Sequence, residues 1–280
     1  MVNINITLNK AAMSAFIHKM MFAGLIAWVI PSCKKVMDKA PLNSYSDAIV
    51  WQNATLISDF VNSTYRGIPT GGFGGLPVYL ACFTDEGKVI GEGIDAIFNG
   101  GNITPSNVGG TPLDYWTAYY GVIGKCNIFL DRIKASTIDA ALKSRMTGEI
   151  RVIRAYSYFS LISFYGGVPL ITKPLTLADS LSLSRSSYDE CLNFALTELD
   201  DAAALLPTSY AAADQGRITK GAALAIKSRA LLYAASPLNN PGNDMSKWQK
   251  AADAAKAVID LNVYSLYPNY KNLFLQLAAY

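Results

Sequence analysis

Residues 139–165 read DAALKSRMTGEIRVIRAYSYFSLISFY, and this stretch decides the fold. Leu142, Met146, Ile150, Ile153, Leu161 and Phe164 recur at helical spacing on one side, and Val152, Tyr156 and Phe159 widen the apolar stripe. A helix with that pattern is buried on more than one side. Ala155, Ser157 and Ser160 are small enough to let neighbouring helices approach closely.

Working outward, similar patterns predict helices near 113–134, 187–205, 219–235 and 246–260, with a last amphipathic piece near 269–279. Residues 219–235 repeat the small-residue theme through Ala222, Ala223, Ala225 and Ala230. Helix starts are marked by capping boxes, in which a hydroxyl and an acid or amide three residues on satisfy free backbone amides: Ser44/Asp47, Thr111/Asp114, Ser136/Asp139, Ser187/Glu190 and Ser246/Gln249. Pro112 strengthens the second of these, because proline at the first helical position sacrifices no hydrogen bond. The stretch 67–112 differs. It is glycine-rich, contains Pro69, Pro77, Pro105 and Pro112, and shows no sustained periodicity, so it reads as a structured loop region. The expected class is all-α: a tetratricopeptide-like scaffold of helical pairs with a long irregular loop region, although no clean repeat period is visible.

The amino-terminus predicts export. Residues 1–32 contain no acid, carry Lys10, His18 and Lys19, and include an apolar run of eleven residues at 20–30. That run is shorter than the ~20 residues needed to cross a bilayer and suits the core of a signal peptide. Ile30, Pro31 and Ser32 precede Cys33 as in a lipobox, where the cysteine becomes the acylated first residue of the mature chain and palmitate-type chains tether it to a membrane. An ordinary signal peptide followed by an incidental cysteine is the alternative. The expected domains are a lipoprotein signal peptide at 1–32 and one helical domain at 33–280.

Composition narrows the chemistry. The chain is 51% hydrophobic and 16% charged, enough for a real core. Lys10 and Lys19 leave with the leader, taking the formal balance from +3 to about +1, and the remaining basic residues are scattered. Nucleic acid is therefore not the expected partner, since phosphate binding needs a concentrated positive face. The one histidine, His18, also lies in the leader. Without it the mature chain builds no Ser-His-Asp triad, no Cys-His pair and no histidine-ligated metal. Paired carboxylates, as in glycoside hydrolysis, remain open. Cys126 and Cys191 read as buried thiols, while Cys82 has the option of pairing with either. No dense cluster of acids points to calcium, and no metal or cofactor is expected.

Set side by side, these segments resemble the SusD/RagB family of outer-membrane nutrient-uptake lipoproteins. Cys33-Lys34-Lys35 with Asp38 and Pro41 is similar to that family's mature start, and Trp51 with Tyr65 to its first helix. Thr84-Asp85-Glu86 resembles a threonine-aspartate-glutamate element, and Trp116, Tyr119, Tyr120 and Asn127 the helix after the variable loop. The most specific match runs from Gly148-Glu149-Ile150-Arg151 through Arg154-Ala155-Tyr156 to Tyr165-Gly166-Gly167-Val168-Pro169-Leu170-Ile171. Arg185-Ser186-Ser187, Leu199-Asp200, Leu206-Pro207 and 216–223 follow in the family's order.

The resemblance implies a non-enzymatic, helical protein, lipid-anchored on the outer face of the outer membrane. It implies capture of an oligosaccharide and its delivery to a TonB-dependent transporter partner. Two departures are visible. Family members continue well past Tyr280, so the chain reads as their amino-terminal portion, and Lys34-Lys35-Val36-Met37 lacks the acidic run associated with surface export. A helical scaffold or fragment that binds only protein partners is the alternative.

A glycan site wants rings for the C–H faces of sugars beside polar groups for the hydroxyls. In the variable loop Phe73, Tyr79, Asp85, Glu86, Phe98, Asn99 and Asn102 meet that description, with Phe98 and Asn99 favoured by the following Gly100-Gly101. Against this, Tyr79 and Phe83 also suit anchoring of the loop, and Asp85 suits capping of a turn. The glycines at 71–75 lack the lysine and hydroxyl of a nucleotide loop. Asp85 and Glu86 are adjacent and do not converge as a catalytic pair would. Glu149, Arg151 and Arg154 read as solvated or inter-helix ion pairs, and Trp116 and Trp248 as packing anchors.

Overall fold

In the computed structural model the described residues are 47–69, 85–87, 100, 101, 104, 114–179 and 182–275, with Lys19. Among them every regular element is helical: α1 Asp47–Val50, α2 Ala54–Arg66, α3 Tyr115–Arg132, α4 Ala140–Tyr165, α5 Tyr188–Leu205, α6 Lys220–Ala235, α7 Met245–Ile259 and α8 Tyr270–Leu275. Short 3₁₀ turns follow α3 at Ile133–Ala135 and precede α6 at Ala212–Asp214. The chain forms two compact units, Met1–Val50 and Trp51–Tyr280. The lipobox, Cys33 and Cys82 fall outside the described residues.

Within the second unit each helix from α3 to α7 packs chiefly on its neighbours in the chain, and α2 packs on α3 and α4. The pairings run in opposite directions. Along α4 and α5, Gly148 faces Leu206, Arg154 meets Glu198 and Tyr158 meets Phe194. This order, in which each of α3 to α7 finds its main partner next to it in sequence, is a property of helical-pair repeats.

Helix α4 is the hub, as its apolar breadth predicts. Met146, Ile150, Val152, Ile153, Ala155, Tyr158, Phe159, Leu161 and Ile162 are all buried. Gly148 explains the close approach of α5: a Cβ there would lie 2.8 Å from Leu206 Cγ. Ala223 and Ala230 of α6 are buried as expected, but Ala225 is exposed. Phe164 also departs from expectation, being 62% exposed and stacked flat on Tyr115 instead of entering the core.

The helix starts use aspartate more often than the expected hydroxyls. Asp114, Asp139 and Asp244 cap α3, α4 and α7 by accepting from Thr117, Leu142 and Ser246 amides. A carboxylate both accepts the amide hydrogen and complements the positive end of the helix dipole. Only Ser187/Glu190 forms the full reciprocal box among the described starts.

Of the charged residues of α4, Glu149 and Arg154 are buried, Lys143, Arg145 and Arg151 are half-buried, and the expected inter-helix ion pairs form from Arg151 and Arg154 to Glu198. Glu149 is fully buried and accepts from Arg145 at 2.9 Å, Arg217 at 3.2 Å and the Tyr65 hydroxyl at 2.9 Å. Arg154, also buried, donates Nε and Nη2 to Glu198 of α5 at 2.8 and 2.6 Å and Nη1 to Asn127 of α3 at 2.8 Å. Asn127 Nδ2 in turn donates to the Ile171 carbonyl at 2.7 Å, and the Tyr158 hydroxyl bonds both backbone groups of Ile171. Geometry-specific bonds of this kind fix which helix faces meet, a task that apolar contacts do less selectively. Cys126 and Cys191 are buried free thiols.

Candidate functional site

Helices α3, α4 and α6 together build a belt of aromatic rings. Tyr115 and Tyr119, one turn apart on α3, stack with centroids 6.1 Å apart. Phe164 of α4 lies parallel to Tyr115 at 4.7 Å with 6° between planes, and Tyr156 meets Tyr119 edge-on at 6.3 Å. Phe159 continues the belt to Tyr233 of α6 at 5.2 Å. The i, i+4 spacing of Tyr115 and Tyr119 puts both rings on one face of α3.

These rings line a shallow groove of about 220 Å³ together with Pro69, Ser160, Ser163 and Arg229. The volume is below the roughly 300–1,000 Å³ of enclosed small-molecule sites, so the groove is an open platform. Phe164 and Tyr233 are its exposed rings, at 62% and 37%. Arg229 holds its guanidinium 5.7 Å over the Tyr233 ring and forms no ion pair among the described residues. Ser163 Oγ donates to the Phe159 carbonyl at 2.8 Å, leaving its lone pairs to accept. Burial pushes the Tyr119 hydroxyl up to about 12 and raises that of Tyr115, so both are neutral donors at pH 7.

The described residues that line the groove stack and hydrogen-bond through rings, hydroxyls and one guanidinium. Among the described residues no group of three or more histidine, cysteine, aspartate or glutamate side chains is placed to hold a metal. No described helix is long and apolar enough to cross a membrane.

The residues expected from the sequence are placed unevenly. Asp85 and Glu86 lie exposed in a turn. Phe73, Tyr79, Phe98, Asn99 and Asn102 lie outside the described residues. Pro69, from which the chain runs into 70–84, lines the platform. The platform rings themselves were missed, because aromatic residues at helical spacing read as core. The available signal was Phe164 at the very end of α4, where burial ends. Trp116 behaves as an anchor, packing on Tyr120 and Tyr165, while Trp248 is half-buried and donates its indole N–H to Asn243.

Comparison with known proteins gives a consistent result. A SusD-like family model, described as starch-binding associating with outer membrane, matches residues 87–232. A SusD-like protein of Formosa agariphila is 26% identical over 258 residues, covering 88% of this chain and 46% of its own. A SusD-like protein of Bacteroides ovatus is 28% identical over 163 residues, 57% of this chain and 29% of its own. Among solved structures, a SusD-like protein of Bacteroides fragilis aligns with TM-score 0.64 at 34% identity, covering 81% of this chain and 42% of that one. A SusD-like carbohydrate binding protein of the same species gives 0.65 at 27% identity, with 80% and 44% covered. The chain spans less than half the length of these relatives. With the family model matching more than half of its residues, and with the helical-pair scaffold the resemblance implies, the chain belongs to the SusD/RagB family.

Proposed function

We propose that this chain is the helical part of a non-catalytic carbohydrate-binding protein of the outer membrane, one that captures an oligosaccharide on the aromatic platform and passes it to a TonB-dependent transporter. The observation that carries the reading is the platform itself: two exposed rings, Phe164 and Tyr233, beside Arg229, which has no ionic partner among the described residues, and a serine hydroxyl. Sugar rings present apolar C–H faces to aromatic planes and hydroxyls to such donors and acceptors. The family description and the carbohydrate-binding relative support the ligand class.

In this reading the loop residues Phe73, Tyr79, Asp85, Glu86, Phe98, Asn99 and Asn102 add further contacts to the sugar, and acylated Cys33 supplies the tether, facing outward. The absence of histidine beyond the leader accords with binding without turnover. Native electrophoresis through gels containing starch or laminarin is the test. Retardation by one neutral polysaccharide, reduced in the Tyr233→Ala variant, supports the reading. Release of new reducing ends on incubation would replace it with a hydrolase.

A further inference from the structure

The α3/α4 pair carries a second groove at its other end, around 127–134 of α3 and its turn and 143–154 of α4, with Thr172, Lys173 and Pro174 closing it. Its volume is about 410 Å³, within the range of small-molecule sites. Its ionisable wall is Asp131, Lys134, Lys143, Arg151, Arg154 and Lys173, five cations to one acid. No aromatic side chain lines it, so it offers nothing for stacking a base or a neutral sugar face.

Two of the cations are committed to the scaffold. Arg154 is spent on Glu198 and Asn127, and Lys143 Nζ donates to the carbonyls of Lys134 and Ser136 at 3.0 and 2.9 Å. Arg151 is different. Its Nη1 donates to Glu198 and Asp201, but its Nε is buried with no hydrogen-bond partner. The other such atom among the described residues is Ser136 Oγ, on the residue whose carbonyl receives Lys143. Ser136 itself does not line the groove. The Arg151 side chain is nevertheless 27% exposed, so the guanidinium edge not engaged by Glu198 and Asp201 is open to an external acceptor.

At the exposed rim Lys134 adds positive charge, and Lys173 adds a charge already paired at 2.5 Å with Asp179, whose side chain is 21% exposed. Asp131, also exposed, accepts hydroxyl hydrogens. Donors for an oxyanion beside an acceptor for hydroxyls describe one ligand chemistry. We propose that this groove is a second binding site, for a sugar unit carrying a carboxylate or sulfate group, with Arg151 and the rim lysines receiving the anion and Asp131 the hydroxyls. It adds to the platform and does not depend on it: the two are lined by different parts of α4, 143–154 and 156–164.

The test is a ¹H–¹⁵N NMR titration of the 33–280 chain at constant ionic strength with glucuronate, glucose 6-sulfate, glucose and inorganic sulfate. The expected result is saturable shifts at amides of 131–137 and 147–154 with the two acidic sugars and not with glucose. Lys134→Glu with Lys173→Glu should weaken that binding at least tenfold without lowering the melting temperature, while Phe164→Ala, which disables the platform, should leave it unchanged. Equal affinity for inorganic sulfate would reduce the groove to a free-oxyanion site and overturn the saccharide assignment. No saturable shift, or the same shift with glucose, would overturn the site itself.

Discussion

Replacing Glu149 by alanine tests whether the buried ionic cluster holds α2, α4 and the turn before α6 together. The wild-type carboxylate is 0% exposed and receives hydrogen bonds from Arg145, Arg217 and Tyr65. Its removal leaves two guanidiniums, each 18% exposed, with Asp214 as their remaining acid at 3.7 and 2.7 Å. Tyr65 loses its acceptor while its oxygen still receives the Ile218 amide. Stranding one partner of a buried ion pair costs about 3–5 kcal/mol. Because Asp214 is 41% exposed and still neutralises both arginines in part, the lower end, about 3 kcal/mol, applies. At about 2–4 °C per kcal/mol for a domain of this size, the melting temperature should fall by roughly 6–12 °C. Glu149→Gln keeps the volume and one acceptor and should lose roughly half as much. Thermal unfolding followed by circular dichroism at 222 nm measures both. A fall of under about 2 °C for the alanine variant, or a larger loss for glutamine than for alanine, refutes the reasoning.

Gly167→Ala would place a Cβ 2.1 Å from the Ser186 carbonyl, in a segment pinned by the Ser186 amide to Val168 carbonyl bond, so about 3 kcal/mol should be lost; urea unfolding checks it, and an unchanged midpoint contradicts it. Burial holds the hydroxyls of Tyr65, Tyr120 and Tyr158 above the usual tyrosine range. The unfolded chain ionises these groups near pH 10, so their contribution is complete below that and is lost as pH rises towards the folded values, by up to about 1.4 kcal/mol per unit for each. Absorbance at 295 nm should show these three titrating only as the fold melts; smooth ionisation of all tyrosines near pH 10 in folded protein would contradict this. Burial also pushes the Cys126 thiol up to about 12 and raises that of Cys191. In a Cys33→Ser, Cys82→Ser variant, neither should react with Ellman's reagent at pH 8 until denaturant is added.

Much of the scaffold was legible because local physics agreed with tertiary packing. The apolar breadth of 139–165 predicted a helix covered on several faces, and α4 is that helix. Where the reading failed, the missing information was non-local. Nothing in GEIRVIR says that Glu149 and Arg154 are buried, since their partners Tyr65, Arg217 and Glu198 lie 84, 68 and 44 residues away. At the starts of α4 and α7 an aspartate, Asp139 or Asp244, caps the helix in place of the expected Ser136 or Ser246, whereas Ser187 keeps its own cap. The platform was invisible for a related reason: Tyr115, Tyr156 and Phe164 sit in helices that also carry buried rings such as Tyr119, Phe129, Tyr158 and Phe159, and only the fold tells which turn reaches the surface.

Isothermal titration of soluble oligosaccharides against the intact chain and its Phe164→Ala variant tests the central claim most directly. Phe164 is 62% exposed, so its removal should spare the fold and remove one stacking surface. The account predicts saturable binding of at least one neutral oligosaccharide, weakened by about tenfold in the variant, in line with the ~1–1.5 kcal/mol carried by a good aromatic contact. Binding of equal strength in both proteins would contradict the placement of the ligand on this platform, and no binding to any glycan would contradict the carbohydrate reading altogether.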